Sequence, residues 1–212
     1  MRDRILREAT HLFAQKGFEA TSLAEIAAAV EIKKPSLLYH FKNKAALRVA
    51  VLAGMLDHFR GVLPQLLAAA AGEEKLEPVL RALLGFFDAD RDRARLLLRE
   101  TLDRPDEMRE LIRDHVAPWV RMVEARIQQG QAMGHVHGHA DPAAYCVHAI
   151  QLVVGGMAAA ESLGVLLDEE PEAAEQRLVE ELLRMLHRGL YRATPGSEFP
   201  KPLSEAALSP RD

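Results

Sequence analysis

One cysteine, Cys146, stands among 212 residues, so no disulfide can form within the chain. Aromatic residues contribute only 5% of the sequence, while Ala and Leu are abundant, a balance that favours helix over strand. No run alternates apolar and polar residues over strand length, which argues against a sheet. Catalytic signatures are also missing: there is no Gly-x-Ser-x-Gly, no His-Glu-x-x-His, no phosphate loop and no Cys-x-x-Cys. Neither an enzymatic activity nor a cofactor is expected. Arg2, Asp3, Arg4 and Glu8 interrupt any apolar run at the start, so no signal peptide is read there. The most apolar stretch, Tyr145 to Leu167, approaches the length of a membrane span. His148, Gln151 and Glu161 interrupt it and three glycines lower its hydrophobicity, so no membrane is expected as a partner and the cytoplasm is the expected location.

The chain is long enough to bury a sizeable core. Its net charge of −4 argues by itself against a nucleic-acid partner, but the charges are unevenly spread. Residues 1–48 hold nine Lys/Arg against five Asp/Glu, a net of +4, and the remainder carries −8. A basic head on an acidic body suits a DNA reader with a separate regulatory part.

The head has a readable grammar. Asp3 to Lys16 is an amphipathic helix with Ile5, Leu6, Ala9, Leu12 and Phe13 on one face, ended by Gly17. Ser22 stands three residues before Glu25, as in a capping box. The helix that follows, Leu23 to Val30, sets Leu23, Ile26, Ala27 and Val30 on one face. Glu31, Ile32 and Lys33 form a turn, and Pro35 suits the first turn of a second short helix, Lys34 to His40. Lys33, Lys34, Ser36 and His40 face outward there, with Leu37 and Phe41 inward. Asn43 caps a third helix starting at Lys44. Two helices joined by a short turn form a helix-turn-helix.

Thr21-Ser22, the Ala-Glu-Ile-Ala that follows, the turn, and Tyr39 to Leu47 resemble the signature of the TetR family of bacterial transcriptional regulators. The resemblance covers about the first fifty residues. It implies an all-α fold: a three-helix DNA-binding head and a helical-bundle body that binds a small-molecule effector and dimerises. It further implies that Thr21, Tyr39 and Lys44 hold backbone phosphates, while Lys33, Lys34, Pro35, Ser36 and Leu38 face base edges. Ser22 and His40 belong to the same surface. One departure is Glu31, where the family carries Gly because the turn favours a positive φ.

Beyond the head, a long helix from Lys44 continues through Val51, Met55 and Phe59, with a kink expected at Pro64 and an end at Gly72. Further helices are expected over Leu76 to Phe87, Arg91 to Leu102, Asp106 to Met133 with a kink at Pro118, Asp141 to Leu167, and Pro171 to Tyr191. The proline-rich residues 194–212 read as a disordered tail. The expected domains are thus a head, 1–48, and a ligand-binding and dimerisation body, 49–193.

Candidate effector contacts in the body are Phe86, Phe87, Leu98, Trp119, Met122 and Leu152, with Arg99, His115 and Gln151 as polar groups; core packing is the alternative for the large apolar ones. The family implies that the last two long helices pair with those of a second subunit, here through Val153, Gly156, Met157, Ala160, Leu182 and Met185. His135, His137 and His139 form a His-x-His-x-His run able to hold Zn²⁺ or Ni²⁺, with Asp141 and His148 as further ligands. A solvated loop is its plain alternative, and a metal-binding helical protein is the second reading of the whole chain. The first reading is a ligand-responsive regulator, most simply a repressor, that binds a palindromic operator as a homodimer.

Overall fold

The computed structural model describes residues 1–69 and 76–192. The expected tail and the end at Gly72 lie outside those residues. Ten α-helices are described: α1 (Arg2–Lys16), α2 (Leu23–Ala29), α3 (Lys34–His40), α4 (Lys44–Ala69), α5 (Glu77–Asp88), α6 (Asp92–Asp103), α7 (Pro105–Leu111), α8 (Ala117–Ala132), α9 (Pro142–Leu163) and α10 (Pro171–Leu190). Among the described residues there is no strand, only an isolated bridge between Val136 and Tyr191.

In the head, Ile5, Ala9 and Phe13 of α1 meet Ile26, Leu37, Phe41 and Leu47 in one buried cluster. Gly17 ends α1 at φ 83 and returns its N–H to Phe13 O. The Ser22 hydroxyl accepts the Glu25 N–H at 3.1 Å, and Asn43 Oδ1 accepts that of Ala46 at 2.7 Å, so both expected caps form. Glu31 adopts φ 57, the left-handed conformation that the turn demands. A side chain there costs on the order of 1 kcal/mol.

One expected helix breaks in two. Asp106 to Met133 is α7, a π-helical turn at Ile112–Val116, and α8. Pro118 is the cause. Its nitrogen cannot donate to Asp114 O, and its ring crowds that carbonyl. The chain widens instead, and the Ala117 N–H reaches back five residues to Ile112 O. The freed Asp114 carbonyl accepts from Arg60 Nη2 at 3.1 Å, and His115 Nδ1 lies 2.8 Å from Asp57 Oδ1, so α4 grips the turn twice. By contrast α4 is continuous through Pro64.

The apolar stretch Pro142–Leu167 has the length and composition to cross a membrane. Here it is α9 plus one 3-10 turn, packed on α5, α6, α8 and α10 with Cys146, Ala149, Val153, Met157 and Ala160 buried. A second cluster, including Leu63, Leu76, Val123, Ile127, Val136, Cys146 and Leu190, closes the far end of the body.

Candidate functional site

Helix α3 meets its neighbours through one buried residue, Leu37. Everything else on it is outward: Lys33, Lys34, Pro35, Ser36 and Leu38 are exposed, and Tyr39 is 88% exposed with the half-buried His40 ring edge-on beside it at 5.4 Å. Lys33 gives α3 no side-chain cap, which leaves the amide end of the helix open. Donors, cations and one aromatic thus share one exposed face, the kinds of group that phosphates and base edges accept. Ser22 is exposed at the start of α2.

Two residues expected at phosphates are placed otherwise. Thr21 is 1% exposed, and its hydroxyl is within hydrogen-bonding distance of Gly17 O (2.8 Å) and Leu12 O (3.2 Å), so it ties α1 to the loop. Lys44 directs Nζ at the carbonyls of Phe18, Thr21 and Glu19, at 2.7, 3.0 and 3.2 Å, and lies over the Phe18 ring. An ammonium has three donors, and all three serve the head.

The body holds an apolar groove of about 530 Å³ between α4, α6, α7, α8 and α9. Leu56, Leu97, Leu98, Thr101, Leu102, Met108, Ile112, Val116, Ala117, Val120, Val147, Ile150, Gln151, Val154 and Gly155 line it. Only Leu98 and Gln151 of the expected effector contacts are among them. Phe86, Phe87 and Trp119 instead pack with Phe59 in an aromatic cluster, at centroid distances of 5.1 to 5.8 Å. His115 is held by Asp57, and Met122 and Leu152 are exposed. Arg99 faces a different cleft, beside Gly17. The missed signal lay in α9, where Val147, Ile150, Gln151 and Val154 fall at i, i+3, i+4 and i+7.

Helix α6 separates groove from head. One side supplies Leu97, Leu98, Thr101 and Leu102 to the groove. The other meets the head: Asp92 Oδ2 lies 2.6 Å from His11 Nδ1, Gln15 donates to Asp92, Glu19 pairs with Arg104, and Glu100 accepts from Arg48 at 2.5 Å. Arg48 and Glu100 are both buried, and Glu107 also pairs with Arg48. Body and head are therefore joined through α6 as well as through the long α4.

Of the expected dimer residues, Val153, Met157 and Ala160 are buried within the chain and are core. Leu182 is half-buried, whereas Gly156 and Met185 are exposed on neighbouring helices.

The histidine run brings two of its imidazoles together, those of His137 and His139. Val136 points inward, 2% exposed, and Gly130 has no Cβ because Val136 Cγ2 would stand 2.7 Å from it. Gln131 holds the loop by donating to the carbonyls of His137 and Ala140. The His137 and His139 ring centroids lie 5.0 Å apart, with the ring planes tilted at 36°. Among the described residues, no three His, Cys, Asp or Glu side chains gather as a metal would need.

Residues 5–51 match the model of bacterial regulatory proteins of the tetR family, and residues 97–176 match the tetracyclin repressor-like C-terminal domain. The chain belongs to the TetR family. That family is one of bacterial regulatory proteins. This TetR-family chain is 36% identical over 63 residues to the biofilm operon icaADBC negative transcriptional regulator IcaR of Staphylococcus aureus, covering 30% of this chain and 34% of that protein. The match thus spans about a third of the length of the curated relatives. In fold it is similar to the fatty acid degradation regulator FadR of Bacillus halodurans, with TM-score 0.70, 18% identity, and 90% and 97% of the two chains covered. It is likewise similar to the ketosteroid transcriptional regulator KstR2 of Mycobacterium tuberculosis, with TM-score 0.68, 18% identity, and coverages of 91% and 95%.

Proposed function

We propose that this regulator acts in the cytoplasm as a homodimeric repressor on a palindromic operator and is released by a small, largely apolar effector. The observation carrying the reading is the position of α6, which gives one side to the apolar groove and the other to the head. An effector that favours one setting of α6 thereby favours one spacing of two heads. A tenfold loss of DNA affinity requires about 1.4 kcal/mol of such preference.

In this reading residues 1–48 bind DNA and 49–193 bind effector and partner. Lys33, Lys34, Pro35, Ser36 and Leu38 face base edges; Ser22, Tyr39 and His40 meet the backbone. Lys44 and Thr21 act behind that surface as positioning residues. Exposed Gly156 and Met185, with half-buried Leu182, mark the face of α9 and α10 that meets a second copy.

The test is an electrophoretic mobility assay with the genomic fragments that the purified protein retains. Retardation should persist in chelator and weaken at least tenfold with apolar ligands found by thermal shift. Ligands that raise the melting temperature yet leave DNA affinity unchanged would refute the coupling, and loss of retardation with chelator would restore a metal role.

A further inference from the structure

A second cavity, of about 660 Å³, lies where head meets body, between the Lys16–Ala20 segment and α6. Leu98 and Leu102 line both this cleft and the apolar groove, so one ridge of α6 borders the two. The groove is almost wholly apolar, whereas the cleft carries four cations. Three of these are paired: Lys16 with Glu25, Arg95 with Asp92 and Glu161, and Arg104 with Glu19, Glu100 and Glu107. Arg99 is the one without an ion-pair partner among the described residues. Its Nη1 abuts Gly17, where an added Cβ would stand 3.0 Å away, so the guanidinium sits against the end of α1.

A planar guanidinium is matched to carboxylate geometry, offering two parallel N–H donors. An apolar groove separated by one leucine ridge from an unpaired guanidinium calls for a molecule with both characters. We propose that the effector is an amphipathic carboxylate, its chain in the apolar groove and its carboxylate held by Arg99 across the Leu98–Leu102 ridge; this rests on the effector reading above. The two cavities fall within the size range of small-molecule sites. Glu19, Glu100 and Asp103 line the cleft too; the two glutamates are paired with Arg104 and Arg48, and Asp103, one turn beyond Arg99, works against an anion there. Binding at Arg99 places the ligand charge directly against the head, which an apolar molecule confined to the groove does not do.

The experiment compares decanoate with decanol, matched in chain and differing in charge, by calorimetry on the full chain. Decanoate should bind at least tenfold more tightly, and acetate should not compete. Arg99→Met should erase that advantage while decanol affinity changes less than twofold. Arg99→Lys should keep part of it, and Asp103→Asn should enlarge it. Equal affinity for the two ligands, equal weakening of both by Arg99→Met, or no decanoate binding at millimolar concentration would each overturn the proposal. DNA release, measured separately, tests the other reading. If decanol releases DNA as well as decanoate does, the effector reading stands and the carboxylate fails. If decanoate binds through Arg99 without release, the reverse holds.

Discussion

Lys44 is the residue whose chemistry depends most on its surroundings. Three carbonyls and the Phe18 ring occupy its ammonium, and none of these neighbours is distant in the head. Charge-assisted hydrogen bonds of this kind contribute about 1.5–3 kcal/mol each at most, and part of that is recovered by water at a half-exposed site. Lys44→Ala is therefore expected to lower stability by about 1–3 kcal/mol in urea titration. It should weaken binding to all DNA sequences alike while leaving the salt dependence of log K close to wild type. A drop of about one in that slope would assign the ammonium to a phosphate after all. Cys146 offers a second check. It is buried, and burial first, with the negative charge of Glu124 second, pushes its thiol up to about 12. Only the thiolate reacts quickly. Iodoacetamide at pH 8 should label the folded protein far more slowly than the guanidinium-unfolded protein, by at least a hundredfold. Comparable rates would show Cys146 to be accessible.

At the scale of elements, α6 and the α7–α8 break decide how the body meets the head. Pro118 opens one π turn, and Arg60 and Asp57 of α4 close on the groups it exposes. Helix α6 meets α4 through the buried Arg48–Glu100 pair. Burying two charges is costly, and the pair is secure only while both partners are present. Arg48→Met should destabilise by about 3 kcal/mol by leaving Glu100 buried without its nearest cation. The double variant Arg48→Met/Glu100→Met should recover most of that loss. Denaturant titration of both measures it, and additive losses would mean that the pair acts as two independent groups. The helices themselves were largely legible: Ser22 and Asn43 cap where their side chains suggested, and Asp141 caps α9, each accepting the N–H three residues on. Pro118 was legible as a disturbance but not as a π turn. That outcome depends on Arg60 being at hand, 58 residues earlier, to satisfy the freed carbonyl.

For the molecule as a whole, the proposed assembly uses the outer face of α9 and α10. Gly156 is exposed, and an added Cβ would stand 3.5 Å from Leu182 Cδ2, an ordinary contact. A larger side chain fits the single chain but protrudes where a second copy would lie. Gly156→Leu should therefore keep the melting temperature of the isolated fold and sediment as a monomer at low micromolar concentration, with DNA binding weakened at least tenfold. A dimeric mutant would place the interface elsewhere. The sequence by itself determined the helical class, the helix-turn-helix and its caps, and the strain at Glu31. These depend on neighbours within a few residues, where spacing and backbone preference act directly. Which face of each later helix is buried was decided by tertiary structure. Val153, Met157 and Ala160 were read as a surface for a partner and are core, because α9 packs on α5, α6, α8 and α10 at once. Phe86, Phe87 and Trp119 were read as pocket and instead join an aromatic cluster with Phe59, while Val147, Ile150 and Val154 line the groove. Hydrophobicity records that a side chain leaves water, not which neighbour takes it in; that choice is made only when distant helices meet.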